Sequence, residues 1–166
     1  RIIKVKQPKY VAPKDEVVTW HHEHLHEQRG KAQEILDLEY KKVIVVVYYT
    51  EQILSLAEEL SKEKPVFILN GQTKDQEATI REAQEAEECY FIIQNGCGEG
   101  VDGWMFGTMF IASMSHNYVD NIQMHGRQRH PKNLRDIEII YAIGGKHDQG
   151  ILDSFNKGEN YNPHKI

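Results

Sequence analysis

The sequence predicts an α/β protein: a parallel sheet with helices on both faces, in three layers (α/β/α). Three observations lead there. The runs Lys42–Tyr49 (KVIVVVYY), Pro65–Leu69 (PVFIL) and Cys89–Ile93 (CYFII) are short, continuous and apolar, the pattern of strands buried on both faces. Between them lie segments whose apolar residues recur at helical spacing. The chain has 166 residues, of which 40% are hydrophobic, enough for one domain with a full core. Buried strands alternating with amphipathic helices pair in parallel, because each crossover helix returns the chain to the same end of the sheet.

Taken in order, Arg1–Lys6 alternates weakly and reads as a strand, and Gln7–Lys14, with Pro8 and Pro13, as a connector. A polar helical segment follows from about Val17 to Tyr40, with Ile35, Leu36 and Leu38 near its end. After the Lys42–Tyr49 strand, Thr50 is expected to cap a helix to about Leu60, whose inner stripe carries Ile53, Leu54, Leu56, Ala57 and Leu60. Pro65–Leu69 ends at Asn70-Gly71, and Thr73-Lys74-Asp75-Gln76 fits a capping box that starts a helix through about Glu87. Cys89–Ile93 and Thr108–Ala112 (TMFIA) are the next strands. Tyr118–Arg129 reads as a helix stopped by Pro131, Asp136–Ile143 (DIEIIYAI) as a strand and His147–Asn156 as the last helix. The acidic run Glu82–Glu88 reads as a solvated helix face, and no internal repeat or low-complexity tract is present. The expected organisation is a connector with a His-rich helical segment over residues 1–30, the α/β domain over 31–157, and a frayed tail over 158–166.

Composition narrows the partners. The net charge is −5 with His neutral, so any nucleic-acid contact must be local or shared with another domain. Cys89 and Cys97 fit a reducing, cytoplasmic setting rather than a disulfide framework, with buried inert thiols as the default. No apolar run approaches the roughly 18 residues of a membrane span. The chain starts at Arg1, directly in a strand-like segment, and reads as a piece of a larger protein.

Ligands of parallel sheets bind beyond the carboxyl ends of the strands. Asn70-Gly71-Gln72, Gln94–Gly103 and Ser113–Asn117 all follow strands and are expected to share one rim. Two segments there carry chemistry. Gly96-Cys97-Gly98-Glu99-Gly100-Val101-Asp102-Gly103 is a Gly-rich turn that brings backbone N–H groups close to a phosphate or ribose. Gln123-Met124-His125-Gly126-Arg127-Gln128-Arg129-His130 sets arginines just beyond a glycine, where they reach the phosphates of a nucleotide held elsewhere. Taken alone, a Gly-rich turn after a strand is most often backbone geometry, and a single Arg most often a surface residue.

With these residues in order, the chain resembles the C-terminal RecA-like domain of superfamily 2 helicases and translocases, from about Lys31 to Phe155. It looks most similar to phage-type helicases and Swi/Snf-type translocases. KVIVVVYYTEQ resembles motif IV, ILNGQT the next strand end, QNGCGEGVDG motif V, SHNYVDNIQMHGRQRH the lead-in and motif VI, and IIYAIGGKHDQGILDSF the closing strand and helix. The resemblance implies an ATPase shared between two domains. The N-terminal RecA-like domain holds the phosphate loop and the Mg²⁺-binding carboxylates; the second supplies arginines across the cleft. This chain has no G-x-x-x-x-G-K-[ST] and no D-E-x-H box, so it is expected not to hydrolyse ATP alone.

Carried over to this sequence, the resemblance makes Arg127 the first choice of arginine finger. Gln123, Gly126 and Arg127 match Q-x-x-G-R-x-x-R, whereas His130 stands where the family has its second arginine and Arg129 lies one place earlier. Gly98, Glu99, Gly100 and Asp102 are implied to face the interdomain cleft and its ATP. Gln94 and Asn95 stand where the family contacts the DNA backbone, and Gly71 and Gln72 are further nucleic-acid candidates. DNA is the expected partner, with RNA left open, and the origin reads as viral or bacterial.

Two other classes remain. The departure at His130 fits a binding module that kept the fold and lost the finger. His22-Glu23-His24-Leu25-His26 is a literal H-E-x-x-H; on a helix His22 and His26 share a face that suits Zn²⁺, with Glu23 as general base. The polar surroundings and the missing third ligand favour a solvated His-rich helix, with no metal. Trp20 and Trp104 are read as packing residues rather than base-stacking platforms.

Overall fold

A computed structural model describes residues 1–6, 14, 20–97, 106–126 and 138–163. Six strands form one sheet: β1 (Ile2–Lys4), β2 (Lys42–Val47), β3 (Val66–Leu69), β4 (Cys89–Gln94), β5 (Thr108–Ile111) and β6 (Glu138–Ile143). Their spatial order is β1-β6-β5-β2-β4-β3, and every neighbouring pair runs parallel. The helices are α1 (Trp20–Glu27), α2 (Lys31–Asp37), α3 (Thr50–Leu60), α4 (Gln76–Glu85), α5 (Tyr118–Gly126) and α6 (Lys146–Asn156).

The two-residue period of the strands divides the core. Val43, Val45, Val47, Tyr90, Ile92 and Phe110 face α2 and α3, where Ile35, Ile53, Leu56 and Leu60 complete one apolar layer. Ile44, Val46, Phe91, Ile93, Met109 and Ile111 face the opposite way, against Ala83 of α4, Met124 of α5 and Ile151 and Leu152 of α6. The central strands are buried on both sides, which is why their sequences are apolar without alternation. The predicted fold class is the observed one.

Local signals went astray at the helix starts. The segment expected as one helix from about Val17 to Tyr40 is two, α1 and α2, separated at Gly30, whose φ is 80°. Thr50 does not cap α3: Tyr49 holds the cap position, and the Thr50 hydroxyl accepts from Gln94 Nε2 at 3.2 Å. Asp75, not Thr73, caps α4, accepting the Ala78 amide at 3.0 Å. The Thr73 hydroxyl is already used by the turn, donating to the Ile68 carbonyl and accepting the Asn70 amide.

Contacts cross the expected boundary at residue 31. β1 pairs with β6 through Ile2, Ile3 and Lys4, and α1 packs on α6. Residues 158–163 make contacts too. The Tyr161 amide donates to the His116 carbonyl at 2.8 Å, and its ring lies against Gly150 of α6. Asn160 Oδ1 accepts the Tyr118 amide at 2.8 Å.

Candidate functional site

Because all six strands run parallel, the segments that leave β2, β3, β4, β5 and β6 emerge on one rim, as expected from the sequence. The rim has two unlike halves. Beyond β3 and β4 it is open. Asn70 closes an Asx turn by accepting the Gln72 amide at 3.0 Å, and Thr73 N donates to the Asn70 carbonyl at 3.2 Å. The turn therefore holds its own shape and leaves Gly71 and Gln72 exposed. A Cβ at Gly71 would meet nothing within 4 Å, and its φ is not positive. Nothing inside the described fold requires a glycine there. Lys74, exposed two residues beyond Gln72, adds a cation that sequence reasoning did not single out.

Gln94 ends β4 opposite Val47 and lays its amide toward Thr50, partly exposed on the rim. Asn95 behaves differently from the expectation of a DNA contact. Its backbone N–H donates to Val47 O at 2.8 Å, and its side-chain amide turns inward to donate to Ser113 O at 3.3 Å. Its Oδ1 is buried and has no hydrogen-bond partner among the described residues. Gly98, Glu99, Gly100, Asp102, Arg127, Arg129 and His130 lie outside the described residues. Gln123 is exposed on α5, and Gly126 is the last residue of that helix. The lead-in to α5 is laced by short-range bonds. Asn117 Oδ1 accepts the Val119 and Asp120 amides, and Asn121 exchanges two hydrogen bonds with the Ser115 backbone. His125 donates Nδ1–H to Asn121 O and accepts the Tyr141 hydroxyl at 2.6 Å, which seats the end of α5 against β6.

The other half of the rim is sealed by α1, and the expectation of a solvated His-rich helix is overturned there. His24 and Lys31 have no exposed surface, and Glu27, Gln28 and Asp148 are buried. Lys31 Nζ donates to Asp148 Oδ2 at 2.7 Å, to Gln28 Oε1 at 2.7 Å and to the Ala112 carbonyl. Burial lowers the pKa of the Lys31 ammonium, and Asp148 works against that effect. Burial alone would raise the Asp148 pKa, but Lys31, the His24 hydrogen bond and the Gly144 amide outweigh it and hold the carboxyl at about 2.

His24 donates Nε2–H to Asp148 Oδ1 at 3.1 Å and accepts the Tyr49 hydroxyl on Nδ1, so a neutral ring satisfies both partners. Burial, together with His24 and His147, depresses His116 to about 4. Glu27 supplies the N-terminal cap of α6. Its two oxygens accept the His147 and Asp148 amides at 3.1 and 3.0 Å. A Cβ at Gly145 would lie 2.5 Å from the Glu27 carboxyl, so only glycine admits that approach.

These bonds also engage acidic and His side chains in and beside the HEHLH segment that a metal would use. Glu23, the would-be general base, pairs with Lys146 at 2.9 Å and His147 at 3.1 Å, and both interactions lower its pKa. His24, Glu27 and Asp148 do place ligand atoms within 4.8 Å of one another. However, the Lys31 ammonium already supplies the positive charge against Asp148, and both Glu27 oxygens cap α6. The cluster is a hydrogen-bonded joint. Sequence reasoning missed it because its members are polar and lie far apart in the chain. The one usable signal was the lysine at position 31, set directly before the apolar face of α2.

The architecture has close counterparts among solved structures. The chain is similar to the C-terminal part of the Fun30 ATPase domain, at 21% identity over 72% of this chain and 40% of that one, with a TM-score of 0.58. It is similar to domain 2 of the DEAD-box helicase Mss116p, solved on an RNA duplex, at 11% identity over 99% of this chain and 64% of that one, with a TM-score of 0.67. The S. cerevisiae Dbp5 C-terminal domain, solved with Gle1 and IP6, aligns at 17% identity over 80% of this chain and 78% of that one, with a TM-score of 0.61. No protein-family model and no curated protein sequence matches. At these identities the likeness establishes the fold alone, one shared with the second RecA-like domains of helicases. The chain spans well under half of the Fun30 chain and just under two thirds of the Mss116p chain. No described helix is long and apolar enough to cross a membrane.

Proposed function

We propose that the chain is the second RecA-like domain of an ATP-dependent helicase or translocase that acts on DNA. The observation that carries this reading is the order of segments on one rim. β3 delivers Gly71 and Gln72, β4 delivers Gln94, and β5 leads through Ser113–Asn117 into the helix that ends at Gln123–Gly126. The same order of motifs marks the resemblance in the sequence, and the fold is the one that the resemblance implies. Gly71, with free space where a side chain would sit, suits close approach by a phosphate backbone, and Gln72, Gln94 and Lys74 offer donors beside it.

In this reading ATP and Mg²⁺ are held mainly by a separate N-terminal RecA-like domain, and ATP hydrolysis supplies the free energy for movement. Gly98, Glu99, Gly100 and Asp102 line this domain's side of the cleft. Gln123, exposed on α5, and Gly126 set the direction of Arg127, which neutralises charge developing on the transferred phosphoryl group; Arg129 or His130 assists. Opening and closing of the cleft advances the open half of the rim along one strand.

The test is Arg127→Ala in the protein that joins this domain to its ATPase domain. A finger acts on the transition state, so kcat is expected to fall about a thousandfold with little change in KM for ATP. Arg129→Ala measures whether that residue replaces the arginine absent at position 130. Wild-type turnover in both variants removes the cleft chemistry and leaves a non-catalytic nucleic-acid-binding domain, the reading that His130 favours.

A further inference from the structure

The inward turn of Asn95 and the position of Ser113 join the two halves of the rim. Ser113, 2% exposed, lies two residues beyond the end of β5. Its hydroxyl donates to Gln52 Oε1 at 2.6 Å and accepts the Tyr48 amide at 2.7 Å. Gln52 Nε2 donates in turn to Gln28 Oε1, which also accepts from Lys31. The buried joint therefore reaches, through five side chains, from Asp148 to Ser113. The Ser113 carbonyl then accepts the Asn95 side-chain amide, across from the next-but-one strand of the sheet.

We propose that Asn95 is a positioning residue: bound to the Ser113 carbonyl, it holds the turn after β4 so that Gln94 presents its amide to a single-stranded nucleic-acid backbone. The inference rests on the reading of the open rim as a nucleic-acid surface. It moves Asn95 from the contact set to the support of that set. Three features carry it. The side-chain amide points into the protein rather than out of it. The bond ties the end of β4 to the end of β5, the two strands that flank β2. Gln94 is the residue directly before Asn95, so a backbone shift at Asn95 moves the end of β4 that carries Gln94, whose side-chain amide reaches Thr50 when the turn is in place. An amide held this way spares Gln94 part of the ordering cost of binding. The staple costs stability, because the Asn95 Oδ1 is buried without a partner among the described residues.

The experiment is a double-mutant cycle on the full 166-residue chain. The probe is a fluorescently labelled single-stranded oligothymidylate, and affinity is read by anisotropy well below the melting temperature. Gln94→Ala and Asn95→Ala are each expected to raise Kd about fivefold, and the double variant to stay within about twofold of either one. That non-additivity is the signature of a residue acting through its neighbour, and general loss of stability does not produce it. Ser113→Ala, which loosens the carbonyl from the other side, is expected to raise Kd in the same direction and to have no effect in the Gln94→Ala background. It carries the test if Asn95→Ala fails to fold. Multiplying effects of Gln94→Ala and Asn95→Ala overturn the proposal, since Asn95 then acts independently. Loss of affinity on Asn95→Ala with none on Gln94→Ala overturns it too. If the unaltered chain does not bind, or neither variant changes Kd, the nucleic-acid reading of the rim itself falls.

Discussion

The two halves of the carboxyl-terminal rim are built from the same parallel strands and follow opposite rules. Beyond β3, polar groups are satisfied by partners no more than six residues away, and Gly71, Gln72 and Lys74 are left facing solvent. In the joint between α1, Lys31 and α6, the central ion pair and the helix cap link residues more than a hundred positions apart. Lys31 bonds Asp148 across 117 positions and Glu27 caps α6 across 120. A turn that closes on itself is free to meet a ligand. A joint assembled from distant charges already engages the Lys31 ammonium and the Asp148 and Glu27 oxygens, so its worth is in stability. A cluster of His, Glu and Asp on a rim is thus no sign of catalysis until its partners are known.

The largest effect expected from this difference is that of Lys31→Met. It strips the counter-charge from a carboxylate whose side chain is 4% exposed, and such a break costs about 3–5 kcal/mol. Urea denaturation measures it, and the affinity of the folded variant for nucleic acid should be that of the unaltered chain. A change below about 1 kcal/mol, or an affinity change of tenfold, would erase the division between the halves.

Acid should open the same half. His116 sits near 4 against an ordinary 6.5, so its contribution is complete above pH 6.5 and is lost as pH falls through about 4. Asp148 sits near 2 against an ordinary 3.8, so its contribution is complete above that pH and is lost on the way down to 2. The signs agree: stability is flat near neutrality and falls on acidification. The His116 contribution is at most about 3 kcal/mol and that of Asp148 about 2 kcal/mol. Melting temperature followed from pH 7 to pH 4 should decline, and His116→Phe, which keeps a ring between Tyr48 and Tyr161, should flatten the decline. An unchanged slope would show that His116 does not hold its neutral form in the fold.

The smallest expected effect sharpens the open half. Gly71→Ala adds a methyl into free space at an ordinary backbone angle, so stability should hold or rise by up to about 1 kcal/mol. Affinity for a nucleic-acid backbone should drop several-fold, because the methyl lies where the phosphate approaches. Unaltered affinity would take Gly71 out of the site.

Hydrophobic pattern by itself determined the sheet. KVIVVVYY, PVFIL and CYFII are short, continuous apolar runs rich in β-branched and aromatic residues, the signal of buried strands. Helices at 3.6-residue spacing supply the cover, and parallel pairing follows from the alternation. That in turn located the rim and put Gly71, Gln72 and Gln94 on it. These are local signals, carried by neighbours in the chain. Tertiary structure alone decided the rest. It buried His24 and Glu27 of a helix whose composition reads as solvated, docked Tyr161 on α6, moved the cap of α4 from Thr73 to Asp75, and turned Asn95 away from the surface where a sequence match had placed it. A polar side chain has no preferred side until it meets its partner. For Lys31 that partner is Asp148 and for Glu27 the start of α6, each within 3.1 Å in the fold and more than a hundred positions away in the chain.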